Sequence, residues 1–282
     1  MSSMPLEVFV AVLVAALFHA AWNAMIRGSS DQLMQTASIA LLAGVLCLPL
    51  LALLPLPSAE SWPFMLGSAT VHMVYYSSLA AAYRHTELSV AYPLIRGLAP
   101  LVVALCSAWA FGERLGGVTA FGVLLISAGV MCVALRRRME RRHVRGLSWA
   151  VLCAATIAAY TLFDGAGARV SGHVPAYLAW KLVLDALLFT SGILFFKGYA
   201  PLRHHVTVHW RTAALAAGLS ALAYGIALWG MTRAPVAAVA ALRETSVLFA
   251  VMIGWLFMRE RVRALQWAGV LAIILGAVLL RG

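Results

Sequence analysis

The chain has 282 residues, 63% of them hydrophobic and only 11% charged, with a mean hydropathy of +0.91. Soluble globular chains carry roughly 45–50% apolar and about 25% charged residues, so a water-soluble enzyme is excluded, and no stretch remains for a soluble, nucleic-acid-binding or cofactor-binding domain. The formal charge of +11 sits mostly on arginines between apolar runs, where basic residues orient a membrane protein instead of binding nucleic acid.

The apolar runs predict ten transmembrane helices, at about 20 residues per span. The first lies near residues 5–27 and shows His19, Trp22 and Asn23 on one face through steps of three and four. Its leading MSSMPLEVFV lacks the basic region and cleavage site of a removable signal peptide, so the run is expected to persist as a helix. The second lies near 32–54. The third, near 61–83, aligns His72 with Tyr76 and sets Tyr75 beside them. The fourth, near 87–111, contains AYPLIRGLAP, with Tyr92 one turn before Arg96 and Pro93 and Pro100 on either side. The fifth lies near 115–135. Then comes RRRMERRHVR, Arg136 to Arg145, the strongly charged seam of the chain.

A second set of runs follows near 147–169, 174–196, 210–231, 235–258 and 264–281. It carries Tyr160 and Asp164 one turn apart, then Tyr177, Lys181 and Asp185 at steps of four, then Tyr224, then Arg243 in VAALRETSVL. The runs are continuous and long, which favours helices at 1.5 Å per residue over the alternating strands of a barrel. The organisation expected is a first five-helix repeat over 1–135, a basic connecting loop over 136–146, and a second five-helix repeat over 147–282.

The halves repeat. A shift of 147 positions, without a gap, superposes Arg96 on Arg243, Glu113 on Glu260, Arg114 on Arg261, Gly122 on Gly269 and Gly129 on Gly276. With an odd number of spans per copy, the second enters the membrane with opposite orientation, an inverted repeat as in many secondary transporters. Basic residues fall mostly in the odd-numbered loops, 14 against four in the even-numbered loops and C-terminus. That bias predicts a cytoplasmic central loop and both termini outside.

Arg96 and Arg243 each fall near the bilayer midplane. An arginine at a helix centre costs about 2.5–3.5 kcal/mol on insertion scales, so two of them need compensation. Converging near a pseudo-two-fold axis, their guanidinium groups would form a fork for carboxylate, phosphonate or phosphate. The competing account is structural, with Arg243 neutralised by Asp164, Asp185 or Glu244. Asp164 and His19 are candidates for a coupling proton, or else an interfacial polar residue and an interhelical hydrogen-bonding group. Lys181 and Asp185 read first as a self-neutralising pair. Trp22, Tyr76, Tyr92, Tyr160 and Tyr224, aromatic rings with polar tips, are candidates for shaping a pocket around a small polar molecule. The paired glycines read as helix-packing faces, the Glu-Arg pairs as caps at helix ends, and the basic seam as an orientation signal with secondary contact to anionic lipid. The four cysteines lie in apolar runs without metal-ligand spacing. HExxH, GxSxG and CxxC are absent, and the glycines of DGAGAR follow no strand, so neither an enzyme nor a resident metal or cofactor is expected.

Three stretches carry a family resemblance. FHAAWNAMIRGSSD, the segment RHTELSVAYPLIRGLAPLVVALCSAWAFGERLGGVTAFGVLLISAGV, and its second copy TRAPVAAVAALRETSVLFAVMIGWLFMRERVRALQWAGVLAIILGAVL are similar to the EamA family of the drug/metabolite transporter superfamily. The resemblance covers essentially the whole chain. It implies ten helices in two inverted repeats, a central cavity lined by helices 1, 3, 4, 6, 8 and 9, and alternating access. On that map His19, Trp22, Tyr76, Tyr92, Arg96, Tyr160, Asp164, Tyr224 and Arg243 lie on cavity helices, while Lys181 and Asp185 are peripheral or gating. Small cationic-drug exporters of the superfamily use a glutamate in the middle of helix 1. Here that helix has His19, and its glutamate, Glu7, lies at the start. The combined expectation is a secondary transporter, by family an exporter, of a small anionic or zwitterionic metabolite such as an amino acid or phosphonate-like compound, in a bacterial inner membrane. Two other readings stand beside it: a multidrug or cationic-metabolite exporter that uses Asp164, Asp185 and Glu244, and a non-transporting membrane scaffold.

Overall fold

The computed structural model describes residues 4–85, 88–113, 115–134, 144–258 and 263–282. Arg114, Arg259, Glu260, Arg261 and the 135–143 part of the basic seam lie outside the described residues. The helices are α1 (Leu6–Arg27), α2 (Gln32–Leu53), α3 (Trp62–His85), α4 (Leu88–Ala110), α5 (Gly117–Ala134), α6 (Val144–Val170), α7 (Val174–Lys197), α8 (Tyr199–Met231), α9 (Val236–Arg243), α10 (Ser246–Met258) and α11 (Ala264–Arg281). Among the described residues, eight helical stretches are long and apolar enough to cross a membrane, with Val236–Leu256 counted as one across the α9–α10 break. The other two of the ten expected spans are α3 and α5. Polar His72, Tyr75, Tyr76 and the serines around them lower the hydropathy of α3, and α5 is a short apolar helix.

Helix ends follow local chemistry. Asp31 caps α2 by accepting from the Met34 N–H at 3.0 Å, and His173 caps α7 by accepting from the Ala176 N–H at 3.2 Å. Gly198, at φ +79°, ends α7 and begins α8 without an intervening loop, a turn that a side chain would oppose. The eighth helix starts earlier than its apolar run, because Tyr199–Val208 forms a helical segment joined across a kink at His209 (φ −113°, ψ 18°). Burial pulls that polar segment into order: Leu202 packs with Met34, Ala37 and Ile193, and the His205 ring Nε2 meets Gln35 Oε1 at 2.8 Å.

Packing runs mainly between the repeats. Helix α2 packs on α7, α5 on α11 and α4 on α9, while α1 packs on α8 as α3 packs on α6. With α1–α5 equivalent to α6, α7, α8, α9–α10 and α11, these contacts are the ones a two-fold axis generates. The α5–α11 seam shows it atom by atom. A Cβ added at Gly129 would lie 2.7 Å from the Gly269 carbonyl oxygen, and one at Gly276 would lie 2.7 Å from the Gly122 oxygen. The same additions would meet Ile273 Cγ1 at 2.8 Å and Ile126 Cγ1 at 2.7 Å. Gly122 therefore faces Gly276 and Gly129 faces Gly269: two equivalent helices run antiparallel, which is the inverted repeat. Small residues permit that backbone approach in an apolar solvent. The outer surface is apolar, with Leu105, Trp109, Phe195 and Phe196 all more than three-quarters exposed, as a lipid-facing wall requires.

Candidate functional site

The two arginines sit where helical hydrogen bonding is weakened. In α4, Pro100 has no N–H to give to the carbonyl of Arg96, four residues back, so that carbonyl is freed. In the second repeat no proline occupies the equivalent place, and the chain breaks instead between α9 and α10. There the backbone tightens to three-residue spacing: Thr245 N–H donates to Leu242 O at 3.1 Å and Val247 N–H to Glu244 O at 3.0 Å. The result is a discontinuous span in which Arg243 ends α9 and the break carries Glu244 and Thr245.

Arg96 is engaged. Its Nε lies 2.9 Å from Glu244 Oε2, with side chains 15% and 8% exposed. Its Nη2 donates to Ser246 Oγ at 3.3 Å and faces His19 Nε2 at 3.4 Å. A guanidinium only donates, so His19 accepts through Nε2 and carries its proton on Nδ1. The His19 ring in turn meets Trp22 edge-on at 5.1 Å, and Trp22 Nε1 is buried without a hydrogen-bond partner.

Arg243 differs. Among the described residues no carboxylate lies within ion-pair distance of it, and its Cζ stands 5.6 Å from the Tyr224 ring centroid. It opens on a cavity walled by α4 (Arg96, Ala99, Pro100, Val103), α6 (Ile157, Tyr160, Thr161) and the α9 end (Ala240, Arg243, Glu244), whose volume of about 20 Å³ holds one water molecule. In this conformation little space remains between the arginines. A separate open recess lined by Ala104, Ala108, Gly112, Glu113 and Leu115 lies at the α4–α5 turn, away from them.

A second polar cluster adjoins the first. Asp164, 1% exposed, accepts from Ser68 Oγ at 2.9 Å, from Tyr177 OH at 3.0 Å and from Tyr224 OH. Lys181 Nζ lies 3.9 Å from Asp164 and 2.5 Å from Asp185. The i, i+4 pair expected on the seventh span is present, but Lys181 and Tyr177 are wholly buried and are not peripheral. Asp164 is likewise buried in the protein interior. Tyr224 joins the clusters, with its hydroxyl on Asp164, its ring near Arg243 and Lys181 Nζ 5.4 Å from that ring. Beside it His72 stacks on Tyr160 at 4.1 Å and Tyr76 on Phe189 at 4.3 Å.

Of the residues singled out by sequence, Arg96, Arg243, His19, Tyr160, Tyr224 and Asp164 are brought together. Trp22 reaches the group only through His19, Tyr76 belongs to the aromatic stack toward α7, and Tyr92 is 38% exposed and lies off the cavity wall. Sequence reasoning missed Ser68 and Ser246 as partners, and it missed that Glu244 serves Arg96 and not Arg243. Position 97, the repeat equivalent of 244, is a glycine against which a Cβ would meet Met131 Cγ at 2.6 Å, so the first repeat has no room for a second carboxylate.

At the opposite rim Glu113 closes another junction. Both its oxygens accept from the Val236 N–H, at 3.0 and 3.1 Å, capping α9. Arg169 Nη2 lies 2.6 Å from Glu113 and its Nε donates to the Met231 carbonyl at 2.8 Å.

The profile of the EamA-like transporter family matches residues 6–135 and 144–282. A protein of Synechocystis sp. described as an uncharacterized transporter is 26% identical over 188 residues, which is 61% of this chain and 56% of that protein; the chain thus matches little more than half of that relative's length. A protein crystal structure superposes with a TM-score of 0.72 at 19% identity, covering 97% of this chain and 94% of the other, a likeness of fold.

Proposed function

This chain belongs to the EamA-like transporter family, and we propose that it is a secondary transporter of a small anionic or zwitterionic metabolite, such as an amino acid or phosphonate-like compound, working by alternating access. The observation that carries the proposal is Arg243: a guanidinium on the wall of a small internal cavity, with no carboxylate partner among the described residues. Its unmatched donors suit a planar or tetrahedral anion, and Tyr160 and Tyr224 flank it. The proline-weakened turn of α4 and the α9–α10 break meet between the repeats, where rocking of one half against the other would open the cavity to either side. The cation-exporter alternative has less support, because Asp164 is already held by three hydroxyl groups and Glu244 by Arg96. The site belongs in a bacterial inner membrane, with the central basic loop in the cytoplasm, against anionic lipid headgroups, and both termini outside.

Uptake of labelled amino acids and methylphosphonate into proteoliposomes tests the proposal. Arg243→Gln is expected to abolish flux that the wild type supports; undiminished flux refutes it. A scaffold would show no ligand-dependent thermal stabilisation with any of these compounds.

A further inference from the structure

Resting on that anion-site reading, we propose that Glu244 is the proton-binding group of the site: ionised, it holds Arg96 as a resident anion; protonated, it releases Arg96 to the incoming anion, so that proton and substrate bind together. Glu244 lies on the two-residue break, in the wall of the same cavity as both arginines. Its contact with Arg96 is short, yet Glu244 Oε2 and Arg96 Nε form no well-directed hydrogen bond with each other or with anything else. An ion pair of this geometry is open to replacement by a ligand that takes the guanidinium fork through two oxygens.

The groups facing Glu244 leave it as the titratable member. Arg96 and Arg243 remain charged throughout. His19 on α1 gives its Nε2 lone pair to Arg96, so protonating it would set a cation against the guanidinium. Tyr160 on α6, which shares the cavity wall with Glu244, is a phenol, as are Tyr75 on α3 and Tyr92 on α4 around Arg96 and Tyr224 on α8 beside Arg243. Helices α5 and α11, which also touch α9, carry no acid or histidine within 117–134 and 264–281. Asp164, the other buried acid, is anchored by Ser68, Tyr177 and Tyr224 with Lys181 nearby, and giving up its charge would strand those donors.

Charge conservation points the same way. With Glu244 ionised, the two arginines and one carboxylate leave the empty site at one positive charge. A monoanion entering with one proton on Glu244 leaves it unchanged, so the empty and loaded forms meet the membrane with equal net charge. An anion alone, or an anion exchanged for a proton, makes the two forms unequal, which the low-dielectric surroundings oppose. Positive linkage between proton and anion is reciprocal.

The test uses methanesulfonate, whose single charge does not change with pH, on the purified full-length chain. Wild-type affinity, read by thermal shift, is expected to tighten at least about tenfold between about pH 8 and about pH 5, with one proton taken up per anion bound. Glu244→Gln is expected to bind at high pH as tightly as the wild type does at low pH, without pH dependence, and to lack a protonated-carboxyl infrared band that the wild type gains on acidification. Glu244→Asp, which keeps the carboxylate, retains the pH dependence and serves if the glutamine variant does not fold. A pH-independent wild type, or a glutamine variant with unaltered pH dependence, overturns the role of Glu244 alone. Absence of binding to either protein at every pH overturns the anion site itself, and this inference with it.

Discussion

Arg96 and Arg243 are equivalent by repeat and unequal by environment, so the same substitution should injure the protein in two different ways. Arg96→Gln leaves Glu244, 8% exposed, as a buried charge without its ion-pair partner, and breaking a buried pair from one side costs about 3–5 kcal/mol. The lost bonds to Ser246 and His19 at 3.3 and 3.4 Å are long and add little. Arg243→Gln forfeits only its stacking near Tyr224 at 5.6 Å, worth about 0.5–1 kcal/mol, and it relieves the crowding of two cations around one carboxylate. At about 2 °C per kcal/mol for a chain of this length, melting in detergent should fall by about 6–10 °C for Arg96→Gln and by no more than about 2 °C for Arg243→Gln. The functional loss in Arg243→Gln comes without that structural one. Charge-assisted hydrogen bonds contribute about 1.5–3 kcal/mol each, so losing the Arg243 fork should weaken anion affinity roughly a hundredfold. Equal loss of stability in the two variants, or wild-type anion affinity in Arg243→Gln, would refute the division in which Arg96 carries the resident ion pair and Arg243 stands free for cargo in the resting site.

The α5–α11 seam predicts that Gly129→Ala destabilises by about 1–3 kcal/mol, because its Cβ meets a backbone oxygen at 2.7 Å that cannot turn aside. Gly192→Ala on α7, where no atom lies within 4 Å of the added carbon, should stabilise by about 0.5–1 kcal/mol through helix propensity; thermal melting of both should show opposite signs. Glu113→Gln should cost about 1–2 kcal/mol by weakening the α9 cap and its pairing with Arg169, and a double-mutant cycle with Arg169→Gln should come out non-additive; strict additivity would dissociate the two side chains. A fluorescent protein fused after Gly282 should stay dark if the terminus lies outside the cytoplasm, and bright fluorescence would reverse the orientation inferred from the basic loops.

How far the sequence discloses this molecule depends on which interactions are periodic. The shift of 147 positions is a statement about register, and register survives folding: the glycines it pairs are the residues that touch across α5 and α11, and the arginines it pairs both reach one cavity. The i, i+4 spacing of Lys181 and Asp185 survives for the same reason. Partners from different helices follow no such rule. Ser68 and Tyr177 reach Asp164 from α3 and α7, across intervals of 96 and 13 residues that no periodicity marks. The α8 segment before His209 reads as a polar loop because its apolar contacts, Leu202 against Met34 and Ile193, are sparse and lie across the bundle.

Glu244 shows why the site itself is the least legible part. It follows Arg243 directly, and a sequence invites pairing neighbours. Adjacent residues on a helical turn point about 100° apart and do not face each other, so the carboxylate turns away from its neighbour and meets the arginine of the opposite repeat. One asymmetric substitution, glutamate for the glycine at 97, thereby converts a symmetric pair of guanidinium groups into one that is occupied and one that is available. The duplication supplies the scaffold, and the departure from duplication supplies the difference between the two arginines on which binding depends.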